Sequence, residues 1–480
     1  MQLFSHPYRM SILGAGLIVG VASAQTADVT TELALLRREI ATLKSHNGDK
    51  WLTEERAAEV KSVVKDVLAD SETRTTLQGS GATSGYNNGF FVSSADGNFK
   101  LSASFLAQAR FTYNYQPGKN IDLGTGPAVS TWGFENRRTG MSFSGNVVDP
   151  SWTYAARFNY GSDIDPYTPT ANAMVLQDAW GAKDFGNGFS VKVGQFKSPF
   201  MAESLRNDGA QLTAERSVVD YYFSGGYTQG IAASYASEQF RATGTYNNGP
   251  RVQNGNWATG VNNSISLAGR LEFKAMGAWS QFDSESSAKS DESALMIGAA
   301  IQYYNNRGFG SGVHWVPAVG SAIYGDIGSN LDTTTGAIDW TVDAIYKSAG
   351  LSAGVAFMGV GAGTRSTIDS TVRDFNSYAM VLQGGYRFTD TLEGFSRWEW
   401  LNVADGAVSP DVGLATDVNN ILTFGVNVYA GSNVKWTTQF GISLSDIGFV
   451  ADVTGAGYET DKNTNASDQF NVITQLQLGF

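Results

Sequence analysis

The chain has 480 residues, of which 33 are basic and 45 acidic; its net charge of −12 argues against a nucleic-acid-binding protein, because phosphate contacts need a basic surface. With no cysteine and three histidines, it has no disulfide framework or cysteine-ligated metal, and no credible zinc site or Ser–His–Asp triad, so we predict neither a metal site nor a cofactor. The mean hydropathy of −0.17, together with the lack of any apolar run of ~18 residues, excludes a polytopic helical membrane protein.

The N-terminus has the pattern of a secretory signal peptide. Arg9 precedes an apolar stretch, residues 10–21, and Ala22-Ser23-Ala24 forms a small-x-small cleavage site. A buried N-terminal helix is the alternative reading. The pattern predicts that residues 1–24 are removed and that the mature chain starts at Gln25, outside the cytoplasm.

Residues 25–70 carry a helical apolar pattern. The three-four-three spacing of a coiled-coil seam is made by Leu33, Leu36, Ile40 and Leu43. Thr53 has the character of an N-cap before a second apolar stripe. A helix this short could pack on its own domain, but the next residues, 71–97, are rich in Gly, Ser, Thr and Asn and are predicted to form a flexible linker. We therefore predict a short, self-associating helical segment over 25–70.

From Phe99 onward, apolar and polar residues alternate. In residues 152–161, WTYAARFNYG, the aromatic side chains share one face and Arg157 lies on the other. A period of two places each set on one face of a β-strand. Sixteen candidate strands lie near residues 99–115, 137–148, 152–161, 174–184, 189–197, 226–236, 238–248, 263–274, 294–304, 338–347, 350–359, 377–388, 392–403, 419–430, 433–445 and 469–480.

Three features favour a membrane barrel over a soluble β-sandwich, which would also alternate. Many candidate strands reach ten or more residues, long for a soluble sheet but suited to a tilted bilayer span. Aromatic residues gather at the ends of the apolar faces, and short links alternate with long ones, residues 275–293 being a long link on the short side. We therefore predict an all-β fold, a 16-stranded antiparallel transmembrane β-barrel over 98–480, with both chain ends on the short-link side.

In such a barrel the polar faces line the lumen. Local alternation places more basic than acidic residues there, and most acidic residues fall in the loops. The predicted pore-lining basic residues are Arg110, Arg138, Arg157, Lys192, Arg241, Arg270, Arg387 and Arg397, with Lys347 and Lys435 on the same face. The first three come from consecutive strands and could form a ladder that favours anions. The alternative is that such arginines pair with carboxylates from an infolded loop and serve stability.

Residues 194–200 read GQFKSPF and precede Thr213-Ala214-Glu215-Arg216. Here the chain resembles the phosphate-selective porin O/P family of Gram-negative outer membranes, over roughly 98–480 in layout. The resemblance implies a trimeric diffusion pore whose third loop folds inward and narrows the channel. Carried over, the constriction candidates are Lys197, Arg206 and Arg216, with Glu203, Asp208 and Glu215 as the acids opposite. Lys197-Ser198-Pro199 could instead simply end a strand at a proline.

The chain departs from the family at the fifth loop, where the phosphate-binding members carry a lysine cluster. Within residues 305–337, Arg307 and His314 are the only Lys, Arg or His residues. We therefore expect a general or mildly anion-preferring pore rather than specific phosphate binding.

The predicted function is that of an outer-membrane porin for passive diffusion of small anionic or neutral hydrophilic solutes and ions. It would be a homotrimer in outer-membrane lipid, with the C-terminus and the segment over 25–70 in the periplasm, where that segment supports trimerisation or reaches the peptidoglycan. The sequence has no G-x-S-x-G, paired His, P-loop or HExxH motif, so we predict no enzyme. The rival is an envelope-anchoring structural protein with a plugged barrel, which conductance would separate from a porin.

Overall fold

The computed structural model describes residues 34–35, 37–39, 41, 61–62, 81–87, 89–117, 128–160, 174–250, 254, 265–305, 331–366, 372–402, 418–445, 457–458 and 468–480. The chain divides into two compact units, Met1–Gly81 and Ala82–Phe480. In the first unit, residues 34–35, 37–39, 41 and 61–62 are helical. The predicted signal peptide and the four residues of the coiled-coil seam lie outside the described residues, so both stay predictions. No helix in the described ranges is long and apolar enough to cross a membrane.

The second unit is built almost entirely of β-strands. In the described residues its strands are β1 Thr83–Tyr86, β2 Phe90–Ser93, β3 Lys100–Gln116, β4 Val129–Val147, β5 Asp149–Tyr160, β6 Val175–Asp184, β7 Phe189–Lys197, β8 Tyr227–Ala236, β9 Phe240–Asn247, β10 Ile265–Met276, β11 Ala294–Asn305, β12 Leu331–Ser348, β13 Leu351–Ser366, β14 Val372–Arg387, β15 Leu392–Asn402, β16 Val418–Tyr429, β17 Val434–Ser443 and β18 Phe470–Gly479. The helices of this unit are α1 Ala202–Leu205 and α2 Val218–Phe223, with 3-10 turns at Asp208–Ala210 and Trp279–Asp283.

Strands β3 to β18 close into a 16-stranded antiparallel barrel. Each pairs with the next along the chain, and β18 returns to β3, with Phe470 opposite Tyr115 and Leu478 opposite Ala107. Closure pairs the backbone donors and acceptors that an open sheet edge would leave free, which is what a lipid environment requires. The predicted fold class is confirmed for the barrel.

The barrel is apolar outside and polar inside. Phe134 is 84% exposed and Trp132 70% exposed, whereas Arg110 and Glu399 are each only 2% exposed. This reverses the arrangement of a soluble protein, because the outer face meets lipid and the inner face meets water or polar side chains. Several strands run further than predicted on the long-link side; β4, for example, already begins at Val129.

Two short strands occupy part of the predicted 71–97 linker. β1 and β2 form a hairpin, and β2 pairs with β3 from Phe90↔Ala103 to Ser93↔Lys100, next to the stretch of β3 that β18 occupies. The Phe90 ring lies 5.5 Å from the ring of Phe480. Gly89 permits the hairpin to lie this close to β3, since a Cβ at position 89 would lie 2.7 Å from the Ala103 carbonyl oxygen. The described end of the linker thus extends the barrel wall, because apolar side chains recur among its small polar residues.

The links between barrel strands differ in length on the two sides. In the described chain, β4–β5, β6–β7, β8–β9, β12–β13, β14–β15 and β16–β17 are joined by one to four residues. The β10–β11 link on the same side, residues 277–293, is much longer, as the sequence indicated. On the opposite side, residues 198–226 join β7 to β8 and carry α1 and α2; we call this segment loop L3.

Candidate pore constriction

Loop L3 is buried inside the barrel. Phe200 and Val219 are 0% exposed and Leu212 is 1% exposed. At its start, Ser198 Oγ donates to Gln302 Oε1 at 2.7 Å, which ties the loop to β11. Because L3 crosses the lumen, it determines which wall residues remain accessible to solutes.

Glu215 of L3 anchors the loop to β3 and β4. Its Oε2 accepts from Arg110 Nη2 at 2.7 Å and from Arg137 Nε at 2.6 Å, and its Oε1 accepts from Arg138 Nη2. Burial alone would raise the pKa of Glu215, but the guanidinium groups of Arg137, Arg138 and Arg110 outweigh it and hold that pKa well below its usual range. The carboxylate is therefore ionised and fully engaged.

Sequence alternation missed Arg137. The β3–β4 register pairs Gln108 with Arg138 and then Ala109 with Asn136, so Arg137 is an extra residue in β4. Such a β-bulge interrupts the period of two and lets two successive side chains reach the same face. Two adjacent arginines in a strand were the only sequence signal.

Asp208 makes a second anchor, on β4 and β5. Its carboxylate accepts from Arg157 Nη2 and lies 2.6 Å from Arg216 Nη1 and 3.9 Å from Arg138 Nε. Burial opposes ionisation of Asp208, but Arg216, Arg157 and Arg138 outweigh it and keep its pKa well below the usual range. The three predicted ladder arginines thus all contact L3 carboxylates, which favours the pairing alternative over a free ladder.

Both halves of L3 contact β15. Glu203 accepts from Ser217 N at 2.8 Å and from Ser217 Oγ at 2.6 Å, and so holds the start of α2. Arg397 Nη1 lies 3.6 Å from Glu203 Oε1 and donates to the Glu215 carbonyl at 2.9 Å. Burial, with the nearby Asp220 carboxylate, raises the pKa of Glu203 to about 8.

Polar side chains of β16 and β17 hold the middle of the loop by its backbone. Asn427 Nδ2 donates to the Leu212 carbonyl at 2.8 Å, and Lys435 Nζ donates to the Gln211 carbonyl at 2.8 Å. Gln439 Oε1 accepts from Ala214 N at 2.9 Å. Loop L3 therefore lies against β3–β5 on one side and against β15–β17 on the other.

A cavity of about 170 Å³ remains between the start of L3 and the walls of β7 to β10. It is lined by Lys192, Phe196, Lys197, Pro199, Leu205, Ala232, Ser234, Arg241, Thr243, Thr245, Arg270 and Glu272. Arg270 is neutralised by Asp343 at 2.8 Å and Glu272 at 2.8 Å. Of its other cations, Lys192 Nζ lies 4.3 Å from the Trp180 ring centre and Arg241 Cζ lies 4.1 Å from that of Trp279. Within the described ranges, these two and Lys197 form no direct ion pair, although the carboxylate of Asp178 on β6 attracts Lys192 and Lys197 from a longer distance.

The remaining predicted residues lie around this arrangement. Lys197 is the last residue of β7, and its Nζ donates to the Ser204 carbonyl at 2.6 Å. Arg206 Nη1 lies 3.4 Å from Glu285 in the β10–β11 link. Arg387 lies near the same link and donates to Ser286 Oγ at 3.2 Å. All six predicted constriction residues are thus in or next to L3, and the part of the chain that the structure describes has no cluster of three or more His, Asp or Glu suited to a metal ion.

The carboxylate pKa shifts predict how the loop responds to pH. Lowered pKa values at Asp208 and Glu215 contribute stability that is complete above about pH 4 and is lost as pH falls through their folded-state values. The raised pKa of Glu203 removes stability as pH rises from about 4.5 to about 8. L3 should therefore be held most firmly near pH 4–5 and loosen in both directions, seen as longer dwell times in high-conductance levels of single channels. A monotonic pH dependence would contradict this assignment.

We compared the sequence with protein-family models and with curated proteins. The family model described as "Phosphate-selective porin O and P" matches residues 107–443, which is more than half of the chain. No curated protein matches the sequence.

Several solved structures resemble the barrel weakly. The outer membrane channel DcaP of Acinetobacter baumannii is 10% identical with a TM-score of 0.48, covering 80% of this chain and 98% of its own. An anion-selective porin from Comamonas acidovorans is 13% identical with a TM-score of 0.46, covering 79% and 99%. OmpF of Salmonella typhi, in complex with daunomycin, is 12% identical with a TM-score of 0.47, covering 83% and 100%. These similarities are too weak to carry function from one protein to another.

Proposed function

The chain belongs to the phosphate-selective porin O and P family, and from this premise we propose that it forms an anion-preferring channel in the outer membrane. Small hydrophilic solutes and ions would cross by passive diffusion, without cofactor or energy coupling. The closed barrel with its polar interior supports a channel rather than an enzyme.

The observation that carries the anion preference is the contrast between two groups of charges. The L3 carboxylates Asp208 and Glu215 are engaged by guanidinium groups, whereas Lys192, Lys197 and Arg241 face the cavity, with no ion pair among the described residues. In a narrow, partly desolvated space, such charges act on a passing ion more strongly than in bulk water. The reversal potential of reconstituted channels tests this preference.

We assign different roles to the two sets of basic residues. Arg110, Arg138 and Arg157 hold L3 in place, and we place the solute path along β7 to β10. We do not propose specific phosphate binding. The L3 arginines Arg206 and Arg216 are paired with carboxylates, and residues 305–337 contain no lysine.

A second function is favoured by how much of the lumen is filled. L3 and the β10–β11 link together bury wall residues such as Lys347 and Glu393 completely, at 0% exposure. A plugged barrel that anchors the envelope to peptidoglycan would look similar. Absence of conductance from folded, reconstituted protein would favour this alternative.

We further propose that the protein is a homotrimer with a periplasmic N-terminal segment that supports assembly. Deleting residues 25–81 removes this segment but retains the β1–β2 hairpin, which belongs to the barrel unit. The trimer should then dissociate to monomers at a lower temperature on semi-native gels, because the helical contacts are lost, while the monomeric barrel keeps its heat-modifiable migration. An unchanged dissociation temperature would remove the segment from trimerisation and leave the peptidoglycan role.

A further inference from the structure

The β10–β11 link enters the lumen from the end opposite to L3. Residues 277–293, here called the inner turn, leave the barrel on the short-link side, whereas L3 leaves it on the other side, because successive antiparallel links alternate between the two ends. The 3-10 turn Trp279–Asp283 lies within it. The inner turn and L3 meet inside the barrel.

The inner turn is firmly attached to the wall. Phe282, 6% exposed, packs with Ala294, Met296 and Ile345 in an apolar cluster. Lys347, which is 0% exposed, donates from Nζ to the carbonyls of Gln281 at 2.5 Å, of Ser286 at 2.7 Å and of Ser284. A buried ammonium needs several acceptors to offset its desolvation, and the backbone of the turn supplies them. The turn is therefore a built element rather than a loose link.

The tip of the inner turn grips L3 through one carboxylate. Glu285, 5% exposed, accepts at Oε2 from Leu212 N at 2.8 Å and lies 3.4 Å at Oε1 from Arg206 Nη1. Its own backbone N–H donates to the Ala210 carbonyl at 2.9 Å. Arg206 Nε also donates to the Phe282 carbonyl at 3.2 Å. Four contacts thus join the turn to residues 206–212 of the loop.

We propose that the inner turn is a second constriction element, and that Glu285 is a positioning residue which locks L3 from the opposite end of the pore. Asp208 and Glu215 fix the loop to β3–β5, but neither touches the loop's Leu212 backbone or Arg206 side chain. Without Glu285, the buried Arg206 guanidinium would keep its hydrogen bond to the Phe282 carbonyl but would lose its carboxylate partner. The backbone N–H of Leu212 would lose its acceptor. The consequence for pore width rests on the proposed channel function; the lock itself does not.

Amide hydrogen exchange on the folded full-length protein tests the lock without requiring ion flow. Glu285→Ala should speed exchange in residues 206–214 by at least about 10²-fold, because a buried charge loses its partner. Glu285→Gln, which keeps an acceptor for Leu212 N, should have a smaller effect. Glu292→Gln makes the same charge change at an exposed position of the same turn, and its exchange rates in residues 206–214 should match those of the unmodified protein. Exchange in β8 should be the same in every variant.

The outcomes separate the lock from a general structural role. Faster exchange confined to 206–214, graded from Ala to Gln, would support the proposal. Unchanged exchange in this region for Glu285→Ala, or equal loosening of L3 and the barrel strands, would overturn it. Conductance of the unmodified protein reports on the channel function separately, so a failure of either can be told from a failure of the other.

Discussion

Glu215→Gln is expected to release the tip of L3 and enlarge the channel. Three guanidinium groups, from Arg110, Arg137 and Arg138, converge on this carboxylate. Removing one partner from a buried charge network typically costs ~3–5 kcal/mol; Arg110 keeps Glu135 at 2.8 Å and Arg138 keeps Asp208 at 3.9 Å, so the cost should lie toward the lower end of that range. Displacing the loop rehydrates the arginines at a lower cost than unfolding sixteen paired strands, so the barrel should stay folded while L3 moves.

Two electrical changes should follow in planar bilayers. Single-channel conductance should rise, since the loop no longer fills the lumen beside β3 and β4. Anion preference should rise as well, since three arginine side chains become accessible to passing ions. Glu238→Gln, at an exposed position on the short β8–β9 link, is the matched control and should change neither quantity. Unaltered conductance in folded Glu215→Gln channels would mean that the arginine contacts do not hold the loop.

Replacing both Lys192 and Arg241 with glutamine is expected to reduce anion preference without changing channel width. The two cations face the cavity beside L3, have aromatic partners and take no part in anchoring the loop. At about 7 Å and an effective dielectric constant between those of a protein surface and bulk water, each charge contributes roughly 1 kcal/mol to the energy of a passing ion. The two charges together contribute about 2 kcal/mol, with opposite sign for an anion and a cation, so the anion-to-cation permeability ratio should fall by at least about 30-fold.

The control for this double variant is Lys183→Gln. Lys183 lies near the short-link end of β6, with its Nζ 5.0 Å from the Trp152 ring centre, and it does not line the cavity. An unchanged permeability ratio in the Lys192/Arg241 variant would place selectivity elsewhere and revive the arginine ladder. A changed conductance with an unchanged ratio would show that these residues shape the pore rather than select ions.

The barrel could be predicted from sequence because its signal is local. A period of two and the alternation of link lengths follow from strand geometry and from lipid on one face, and both are visible in runs such as residues 152–161. The inward direction of Arg110, Arg157 and Arg270 follows from the same alternation. The family resemblance at residues 194–200 added the infolded third loop, which alternation alone does not indicate.

What the sequence could not supply depends on contacts between distant segments or on breaks in the period. Arg110 pairs with Glu135 of the neighbouring strand at 2.8 Å, and its second partner, Glu215, lies more than a hundred positions away and reaches it only through the folded loop. Arg137 faces the lumen through a β-bulge that no composition rule marks. The link at 275–293 was recognisably long, but its inward fold depends on Phe282 and Lys347 meeting partners on other strands.

The most direct test of the proposed function is the reversal potential of the purified protein in a planar bilayer across a potassium chloride gradient. We expect stepwise conductance with a reversal potential displaced toward the chloride equilibrium potential. Lys192, Lys197 and Arg241 face the remaining cavity, whereas Asp208 and Glu215 of L3 are paired with arginines. A displacement toward the potassium equilibrium potential would contradict the anion preference. Folded protein that gives no conductance steps would contradict the channel itself and favour the anchoring role.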